Sequence, residues 1–277
     1  MRETLEREVK LQAPGDFELP ALPGAEIDRV FTSTYVDTPA RSLTSAGITL
    51  RRRLENRRSL WQLKLPRSGA RAELEARGGP AGPPPELAAL LTAHTRVHGD
   101  LEPVAVLRTR RRGIHVVDGD RDVAEVTVDQ VDVLEGRRRV DGFVELEAEL
   151  TDGDEADLKR LTRELRASGA RSSDGRPKVF RALGITAPAP PGKKASTREL
   201  VVHQLRTQLF QIEAHDPGVR AGGSIDDVHR FRVATRRTRA LVRATRPVLG
   251  ERLAPLAGEL GWLAGKLGAV RDLDVLI

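Results

Sequence analysis

An alternation of ionic and apolar residues with a period of two, repeated along the first 185 residues, limits most strongly what this chain can fold into. Between Leu5 and Leu11, Glu6, Glu8 and Lys10 occupy every second position, and the positions between them are mostly apolar. Because side chains point alternately to the two faces of a β-strand, this segment places two carboxylates and an ammonium on one face. The pattern predicts a strand with one ionic and one apolar face.

The same alternation recurs in five further segments, whose polar positions are mostly ionic. A single strand of this kind is usually the solvated face of an antiparallel sheet. Six such strands together favour a closed barrel with the charges inside, where unpaired charge is too costly to keep without a bound ion or ligand. The polar residues of the five segments are Thr49, Arg51 and Arg53; Gln62 and Lys64; Arg108 and Arg110; Glu125, Thr127 and Asp129; and Glu145, Glu147 and Glu149.

The residue types inside such a barrel point to one class of ligand. Arginine and lysine bind phosphate oxygens, whereas clustered glutamate and aspartate bind the hard cations Mg²⁺ and Mn²⁺. A lining of both types therefore indicates a polyphosphate bound together with a divalent metal. The alternative open at this point is an outer face of cross-strand salt bridges.

Composition narrows the classes of protein. The chain has 277 residues, enough for two domains, and it has no cysteine, which excludes disulfides and thiolate metal sites and fits a cytoplasmic protein. It shows no signal peptide and no run approaching the roughly 18 apolar residues of a membrane span, so neither secretion nor membrane insertion is expected. The net charge of +6 favours an acidic partner such as nucleic acid, polyphosphate or anionic lipid.

The periodicity changes once along the chain. Residues 1–185 are predicted to be rich in strands, and residues 197–277 to be helical. The stretch 186–196 between them is predicted to be a linker, because it contains three prolines among small or charged residues. The predicted helices cover residues 86–96, 154–167, 197–215, 228–249 and 251–267, the last with a possible continuation to 276.

Several short motifs follow one another over residues 1–185. The series starts with Glu-x-Glu-x-Lys and ends with a Lys-Val-Phe-Arg segment. In this order the motifs resemble those of the CYTH family, the triphosphate tunnel metalloenzymes. The resemblance implies an α+β fold class: an eight-stranded antiparallel β-barrel tunnel with flanking helices, followed by an all-α partial helical bundle. The matching elements are Glu6, Glu8 and Lys10; Tyr35–Pro39; Leu43–Arg53; Lys64; Arg108 and Arg110; Asp129; Glu145 and Glu147; and Lys178–Arg181.

The resemblance also implies a role for each matched residue. The reaction it implies is cleavage of a phosphoanhydride with Mg²⁺ or Mn²⁺, which requires positioning and charge neutralisation more than a side-chain nucleophile. The implied metal ligands are Glu6, Glu8, Asp129, Glu145 and Glu147; the implied substrate-binding residues are Lys10, Arg51, Arg53, Lys64, Arg108, Arg110 and Lys178; and the implied catalytic residues are Glu6, Glu8 and Lys10.

Two parts of this match differ from the family's pattern. The family's closing Ser-Lys-Tyr is here Pro177-Lys178-Val179, so the placement of Lys178 rests on fewer residues. Arg71 and Glu73 lie either on the next tunnel strand or on the exposed surface, because the adjoining glycine-rich loop obscures the register.

The second dense signal is a basic stripe in the helical part. His229, Arg232, Arg236, Arg239 and Arg243 follow one another at steps of three and four residues, which places them on one helix face roughly 20 Å long. Such a stripe is either a solvated face or a surface for a polyanion.

The segments 229–240 and 267–276 resemble the CHAD family, helical domains associated with polyphosphate binding. A full CHAD domain is much longer. We therefore expect residues 197–277 to be the N-terminal part of a truncated one, with about three helices and an exposed apolar face.

Together these resemblances predict an inorganic triphosphatase that hydrolyses tripolyphosphate to pyrophosphate and phosphate, with a helical region that binds polyphosphate. Thiamine triphosphatase and class IV adenylyl cyclase are alternatives within the family, and a non-catalytic polyphosphate- or nucleotide-binding protein is the alternative outside it. Nucleic acid is disfavoured as a partner, because Phe231 is the one aromatic residue close to the basic stripe in sequence. The oligomeric state stays open.

Overall fold

The computed structural model describes residues 1–14, 17–67, 69–186, 190–222 and 225–274. Ten antiparallel strands form one sheet, and helices flank it, which confirms the predicted α+β class. The strands are β1 (Arg2–Glu6), β2 (Glu8–Gln12), β3 (Gly24–Asp37), β4 (Thr49–Glu55), β5 (Arg58–Arg67), β6 (Ala70–Arg77), β7 (Glu102–Asp118), β8 (Arg121–Glu135), β9 (Arg138–Leu150) and β10 (Arg171–Ser172). The helices are α1 (Ser42–Ser45), α2 (Pro85–Leu90), α3 (Thr92–His98), α4 (Glu155–Ala167), α5 (Lys178–Ala182), α6 (Thr197–Arg220), α7 (Ile225–Ala244), α8 (Arg246–Leu249) and α9 (Ala254–Asp274).

The sheet closes on itself because the N-terminal segment pairs on both sides. β1 pairs with β6, and β2 pairs with β9. The segment bends at Arg7, whose carbonyl accepts a hydrogen bond from the Leu150 amide at 2.9 Å. Counted as one bent segment, β1 and β2 complete a ring of eight with the seven strands from β3 to β9, and β10 is a short addition at the edge of β2. The predicted eight-stranded tunnel is therefore present within a sheet of ten assigned strands.

Most of the hydrophobic core lies outside this ring. Leu161 and Leu165 of α4 cover the outer faces of β8 and β9. On the opposite side, Leu87 and Leu91 of the α2–α3 region pack against the outer faces of β5 and β6. Because apolar side chains face these helices, the alternating ionic side chains face the interior. A smaller apolar group that includes Leu107 and residues of α5 fills part of the interior.

Each of the five predicted helices has a counterpart, but the described residues contain nine helices, and α1, α5 and α8 were not predicted. The helix predicted over 86–96 is interrupted at Leu91, whereas α4 begins one residue after Asp154, which caps it. Helix α6 continues through Pro217 to Arg220. Helix α7 ends at Ala244, where Pro247 disfavours a continuous helix.

Two expectations fall partly outside the described residues. These are the linker at 187–189 and the helix extension at 275–276. Within the described part of the chain, no helix combines the length and the apolar character needed to cross a bilayer.

Candidate active site

The interior of the barrel is a cavity of about 220 Å³ with a charged lining. It joins a wider mouth of about 630 Å³ beside the turn between β4 and β5, and Arg29, Arg53, Gln62 and Glu75 border both spaces. Most of the charged residues of the cavity fall into three groups, which differ in how far neighbouring protein side chains neutralise their charges.

Six side chains form a group with no net charge, here called the paired cluster. Arg111 donates two hydrogen bonds to Asp129, at 2.8 and 2.7 Å, and one to Glu147 at 2.8 Å. Lys178 Nζ lies 2.6 Å from Glu147 and 2.7 Å from Glu145. The carboxylates in this group already have protein counterions. Its members are Asp129, Glu145 and Glu147 together with Lys10, Arg111 and Lys178.

The neighbours in the paired cluster keep its lysines charged. Burial by itself lowers the pKa of Lys178, but Glu147, Asp129 and Glu145 raise the pKa well above its usual value. Lys10 behaves in the same way. Burial lowers its pKa, but the charge of Glu147 raises it, and the net result is a raised pKa. In turn, burial acts to raise the pKa of Glu147, and the surrounding cations hold it well below its ordinary value. Lys10 is therefore an ammonium at neutral pH and acts as a fixed positive charge.

A second group, here called the acid-rich cluster, has four carboxylates around one lysine. Lys64 hydrogen-bonds Glu6 and lies 3.6 Å from Glu73. Glu8 and Glu149 are cross-strand neighbours on β2 and β9. Burial raises the pKa of Glu6, and burial followed by the nearby Glu6 charge raises the pKa of Glu149 to about 7. Glu8 also lies 3.4 Å from Lys10, so the four acids of this cluster have two cations, Lys64 and Lys10, at ion-pairing distance among the described residues.

The third group consists of arginines held by neutral oxygens. Arg51 donates to Gln62 at 2.8 Å and to the Tyr35 hydroxyl at 3.2 Å. Arg71 donates to the carbonyls of Gly47 and Lys64 at 3.0 and 3.3 Å. Within the described part of the chain, neither arginine forms an ion pair with a carboxylate. A partly buried guanidinium in this state favours an anionic ligand.

Arg53 lies where the cavity meets the mouth. Its guanidinium stacks on Phe31 at 3.7 Å and forms an ion pair with Glu55 at 2.7 Å. Burial lowers the pKa of Arg53.

Most of the residues predicted for the site lie inside the tunnel, and two do not. Arg108 and Arg110 are exposed on the outer face of β7, where Arg110 pairs with Asp28 at 3.2 Å. The prediction that these two line the tunnel is therefore wrong, and Arg111 takes the interior position. In a run of three arginines, a shift of one residue moves the whole set to the other face, and the local sequence does not specify this register. The residues that do line the cavity as predicted are Glu6, Glu8, Lys10, Arg51, Arg53, Lys64, Glu147 and Lys178, with Asp129 and Glu145 buried behind them.

Several cavity residues were not among the predicted ligands. Glu149 continues the alternation of β9, so that pattern already pointed to it. Arg71 and Glu73, undecided from sequence, both face the cavity. Gln62 was already on an alternating polar face and Tyr35 in a matched motif, and the structure joins both to Arg51 by cross-strand hydrogen bonds.

The acid-rich cluster suits a divalent cation. Its donors are carboxylate oxygens, which Mg²⁺ and Mn²⁺ prefer. Glu6 Oε2 and Glu73 Oε1 are buried and make no hydrogen bond within the described structure. Among the described residues, no three acidic or histidine side chains are already arranged as a coordination site. The fit therefore rests on donor chemistry and excess negative charge.

The basic stripe lies on α7, outside the tunnel. His229, Arg236 and Arg243 are exposed, while Arg232 and Arg239 are partly buried and each has an Nε without a hydrogen-bond partner among the described residues. Phe231, the aromatic residue considered for base stacking, is buried in the helical bundle.

Comparisons with known proteins give two family matches. The model of the CYTH domain family matches residues 4–175, and that of the CHAD domain family matches residues 203–277. Two curated relatives from Mycobacterium tuberculosis, "Uncharacterized protein MT2285" of strain CDC 1551 / Oshkosh and "Uncharacterized protein Rv2226" of strain ATCC 25618 / H37Rv, are each 33% identical to this chain over 278 residues. Each alignment covers 92% of this chain and 52% of the relative, so the chain spans about half the length of the curated relatives it matches.

Solved structures show more distant similarity. A candidate adenylate cyclase from Bacillus halodurans is 16% identical, with a TM-score of 0.45, over 70% of this chain and 97% of that protein. HpAC1 from Hippeastrum, described as having a dominant triphosphatase activity, is 17% identical, with a TM-score of 0.41, over 67% of this chain and 98% of that protein. On the family matches, the chain belongs to the CYTH family, and its CYTH domain is followed by a CHAD domain.

Proposed function

We propose that the CYTH domain hydrolyses inorganic tripolyphosphate to pyrophosphate and phosphate, with Mg²⁺ or Mn²⁺ as its cofactor. One observation carries the proposal. A single cavity contains arginines with no carboxylate ion pair among the described residues, Arg51 and Arg71, beside the acid-rich cluster, where four carboxylates surround Lys64. A metal complex of a polyphosphate supplies both missing charges at once, because its phosphate oxygens pair with arginine and its metal pairs with carboxylate.

The protein's own residues divide the chemistry between them. Arg51, Arg53 and Arg71 bind the phosphate oxygens from one side, and Lys64 does so from the edge of the acid-rich cluster. From the other side, the paired cluster supplies Lys10, Arg111 and Lys178. Cations on both sides align the chain of phosphates and neutralise the charge that spreads over them in the transition state.

Hydrolysis then requires a water placed in line with the bond that breaks. The water oxygen bonds to a terminal phosphorus, the bond from that phosphorus to the bridging oxygen breaks, and pyrophosphate leaves with the electron pair. A carboxylate of the acid-rich cluster accepts the proton of the water. Held by Glu6 and Glu8, a divalent metal would supply Lewis-acid stabilisation of the phosphate oxygens.

Inorganic tripolyphosphate is favoured as the substrate by two observations. The cavity walls are almost entirely charged or polar, and the CYTH domain is followed by a CHAD domain whose basic stripe presents His229, Arg232, Arg236, Arg239 and Arg243 to a longer polyphosphate. Thiamine triphosphatase and class IV adenylyl cyclase activities are the alternatives within the family. A non-catalytic polyphosphate- or nucleotide-binding protein is the alternative outside it, and it offers no role for the acid-rich cluster.

The first experiment is a phosphate-release assay with tripolyphosphate, ATP and thiamine triphosphate, each with Mg²⁺, with Mn²⁺ and with a chelator. We expect metal-dependent release, fastest from tripolyphosphate. Faster turnover of either organic triphosphate identifies that substrate instead. Binding of tripolyphosphate without turnover of any of the three contradicts the enzyme proposal.

The acid-rich cluster can be tested directly with Glu6→Gln and Glu8→Gln. Each substitution removes one negative charge with little change of shape, so we expect metal-dependent turnover to fall by at least about 100-fold. Metal-free binding of tripolyphosphate should be kept or tightened, because a repulsive charge is gone. Glu135→Gln, at an exposed ion pair with Arg138, is the matched control and should keep full activity. Normal turnover by both tunnel variants contradicts their assignment.

A further inference from the structure

The helical domain packs directly against the outer wall of the tunnel. Ala214 of α6 is buried in the same apolar cluster as Leu63 and Leu65 of β5. The ring of His94, on α3, bridges the two parts, with Nδ1 at 3.2 Å from the Ser42 hydroxyl and Nε2 at 3.2 Å from the carbonyl oxygen of Glu213 on α6. The two domains therefore share a core at this interface.

A buried ion pair crosses the same interface. Arg67, at the end of β5, donates to Asp227 of α7 at 2.7 Å. The side chain of Asp227 is 0% exposed and that of Arg67 is 8% exposed. Asp227 also lies 3.0 Å from His215 Nδ1 on α6. A buried pair of this kind favours one relative position of the two segments, because separating them breaks a charge-assisted hydrogen bond between side chains shielded from water.

The strand that carries Arg67 belongs to a hairpin that also supplies the tunnel. β5 and β6 pair along their length, and their inner faces carry Lys64, Arg71 and Glu73 into the cavity. Arg67 pairs with Ala70 next to the turn, one position from the pair formed by Pro66 and Arg71. The outside of the hairpin is thus attached to the helical domain within a few residues of its charged inner face.

A second contact reaches the same place. Arg71 is oriented by its hydrogen bond to the carbonyl oxygen of Gly47, and Phe210 of α6 lies over Gly47, with its Cζ at 3.7 Å from where a Cβ on that glycine would be. The helical domain therefore contacts both the hairpin and the loop whose carbonyl holds the Arg71 guanidinium.

We propose that the helical domain is part of the tunnel's phosphate-binding machinery: through the pair between Arg67 and Asp227, it positions Lys64 and Arg71 for the substrate. Asp227 is then a positioning residue, remote from the reacting atoms. The inference deepens the proposed function and depends on it for the identity of the substrate, while the contacts between the domains stand independently of any reaction.

The test compares Asp227→Asn with Asp226→Asn in the full chain. Asp226 is the adjacent residue on α7 and forms an ion pair with Arg230 within the same helix, so its variant is a matched control. Metal-free binding of tripolyphosphate is measured by calorimetry for the unmodified chain and for Lys64→Met. The affinity that Lys64→Met loses is taken as the contribution of the tunnel to binding. We expect Asp227→Asn to weaken this contribution about tenfold, and Asp226→Asn to change it less than twofold.

Two further readouts distinguish positioning from a general loss of stability. Amide hydrogen exchange should accelerate in residues 63–74 of Asp227→Asn, while the exchange of β8 and β9 stays unchanged. In turnover assays, the KM for tripolyphosphate should rise about tenfold with kcat within about threefold. Arg67→Lys, which keeps the single charged contact, should restore most of the affinity that Arg67→Gln loses.

Equal tripolyphosphate affinity in Asp227→Asn, Asp226→Asn and the unmodified chain, with unchanged exchange in the hairpin, overturns the inference. If Asp227→Asn does not fold, the comparison of Arg67→Lys with Arg67→Gln decides in the same way. If the unmodified chain binds tripolyphosphate but does not hydrolyse it, the proposed function fails, while the binding and exchange results still test the positioning role.

Discussion

Arg110 and Arg111 are neighbours on β7 and lie in opposite environments. Arg110 is exposed and pairs with Asp28, whereas the side chain of Arg111 is 12% exposed and binds Asp129 and Glu147. At the scale of single residues, the charge of a side chain therefore says little about its role until its face is known. Strand geometry makes the difference absolute, because consecutive side chains cannot point to the same face.

This pair gives a controlled substitution experiment. Arg111→Gln removes a cation from the tunnel and leaves Asp129 with fewer donors, so we expect kcat/KM for tripolyphosphate to fall roughly 100-fold, equivalent to about 3 kcal/mol. Arg110→Gln, one residue away on the outer face, should stay within about twofold. Phosphate-release kinetics and circular dichroism of both variants provide the check. Equal losses in the two variants would contradict the assignment of Arg111 to the site.

At the scale of elements, Asp37 explains why β3 is followed by a tight helical turn. Its Oδ1 accepts hydrogen bonds from the amides of Thr38 and Leu43 at 2.7 and 2.9 Å, and its Oδ2 accepts from the amide and hydroxyl of Thr44 at 3.0 and 2.6 Å. The Asp37 carboxylate thereby satisfies the amides of Leu43 and Thr44 in α1, while the Thr38 hydroxyl accepts from the Ser42 amide at 3.0 Å. The Tyr35–Pro39 motif therefore has a structural role in this turn, and its Tyr35 hydroxyl also accepts a hydrogen bond from Arg51.

Asp37→Asn tests this arrangement through stability. The amide nitrogen of asparagine cannot accept a hydrogen bond, so two buried donors lose their acceptor, and we expect the free energy of unfolding to fall by about 3 kcal/mol. Asp28→Asn, on an exposed part of the same strand, should change it by less than about 0.5 kcal/mol. Urea denaturation of the two variants measures the difference. Similar midpoints would show that the carboxylate does not organise the turn.

At the scale of the whole molecule, the contact between the domains depends on a neutral histidine. Burial lowers the pKa of His94 below its ordinary value of 6.5, an effect that His98 supports and that the Glu213 carbonyl and the charges of Glu213 and Asp216 oppose. The folded chain then binds this proton less readily than the unfolded chain. The neutral His94 side chain therefore stabilises the folded state fully above about pH 6.5. This stabilisation is lost as the pH falls from that value toward the lowered pKa of His94.

Acid should therefore weaken the domain contact more in the natural chain than in a chain without this imidazole. We expect the melting temperature of the unmodified protein to fall more between pH 7.5 and pH 5.0 than that of His94→Gln, which has no titrating group at this position. The comparison between variants is needed because burial raises the pKa values of Glu6 and Glu149, and these acids favour the folded state at lower pH. Parallel pH profiles would contradict a role for His94.

The sequence by itself determined which side chains share a face, because the two-residue period of a strand is a local property. From it followed the ionic interior, most of the site, the change to helices near residue 196 and the basic stripe on α7. The same alternation placed Glu149 on the ionic face of its strand, although it was not among the predicted ligands. Helix boundaries were less accurate, since Pro217 was tolerated inside α6.

Only the tertiary structure decided how those faces meet. The pairing of β7 with its neighbours selected Arg111 over Arg110, and the register of β5 with β6 brought Arg71 and Glu73 inside. Lys178 reaches the tunnel from α5 and decides which acids are already neutralised. The contact between Arg67 and Asp227 joins residues that are 160 positions apart in the chain. These outcomes were beyond the sequence because pairing, counterions and domain contacts depend on distances between remote segments, which no local periodicity encodes.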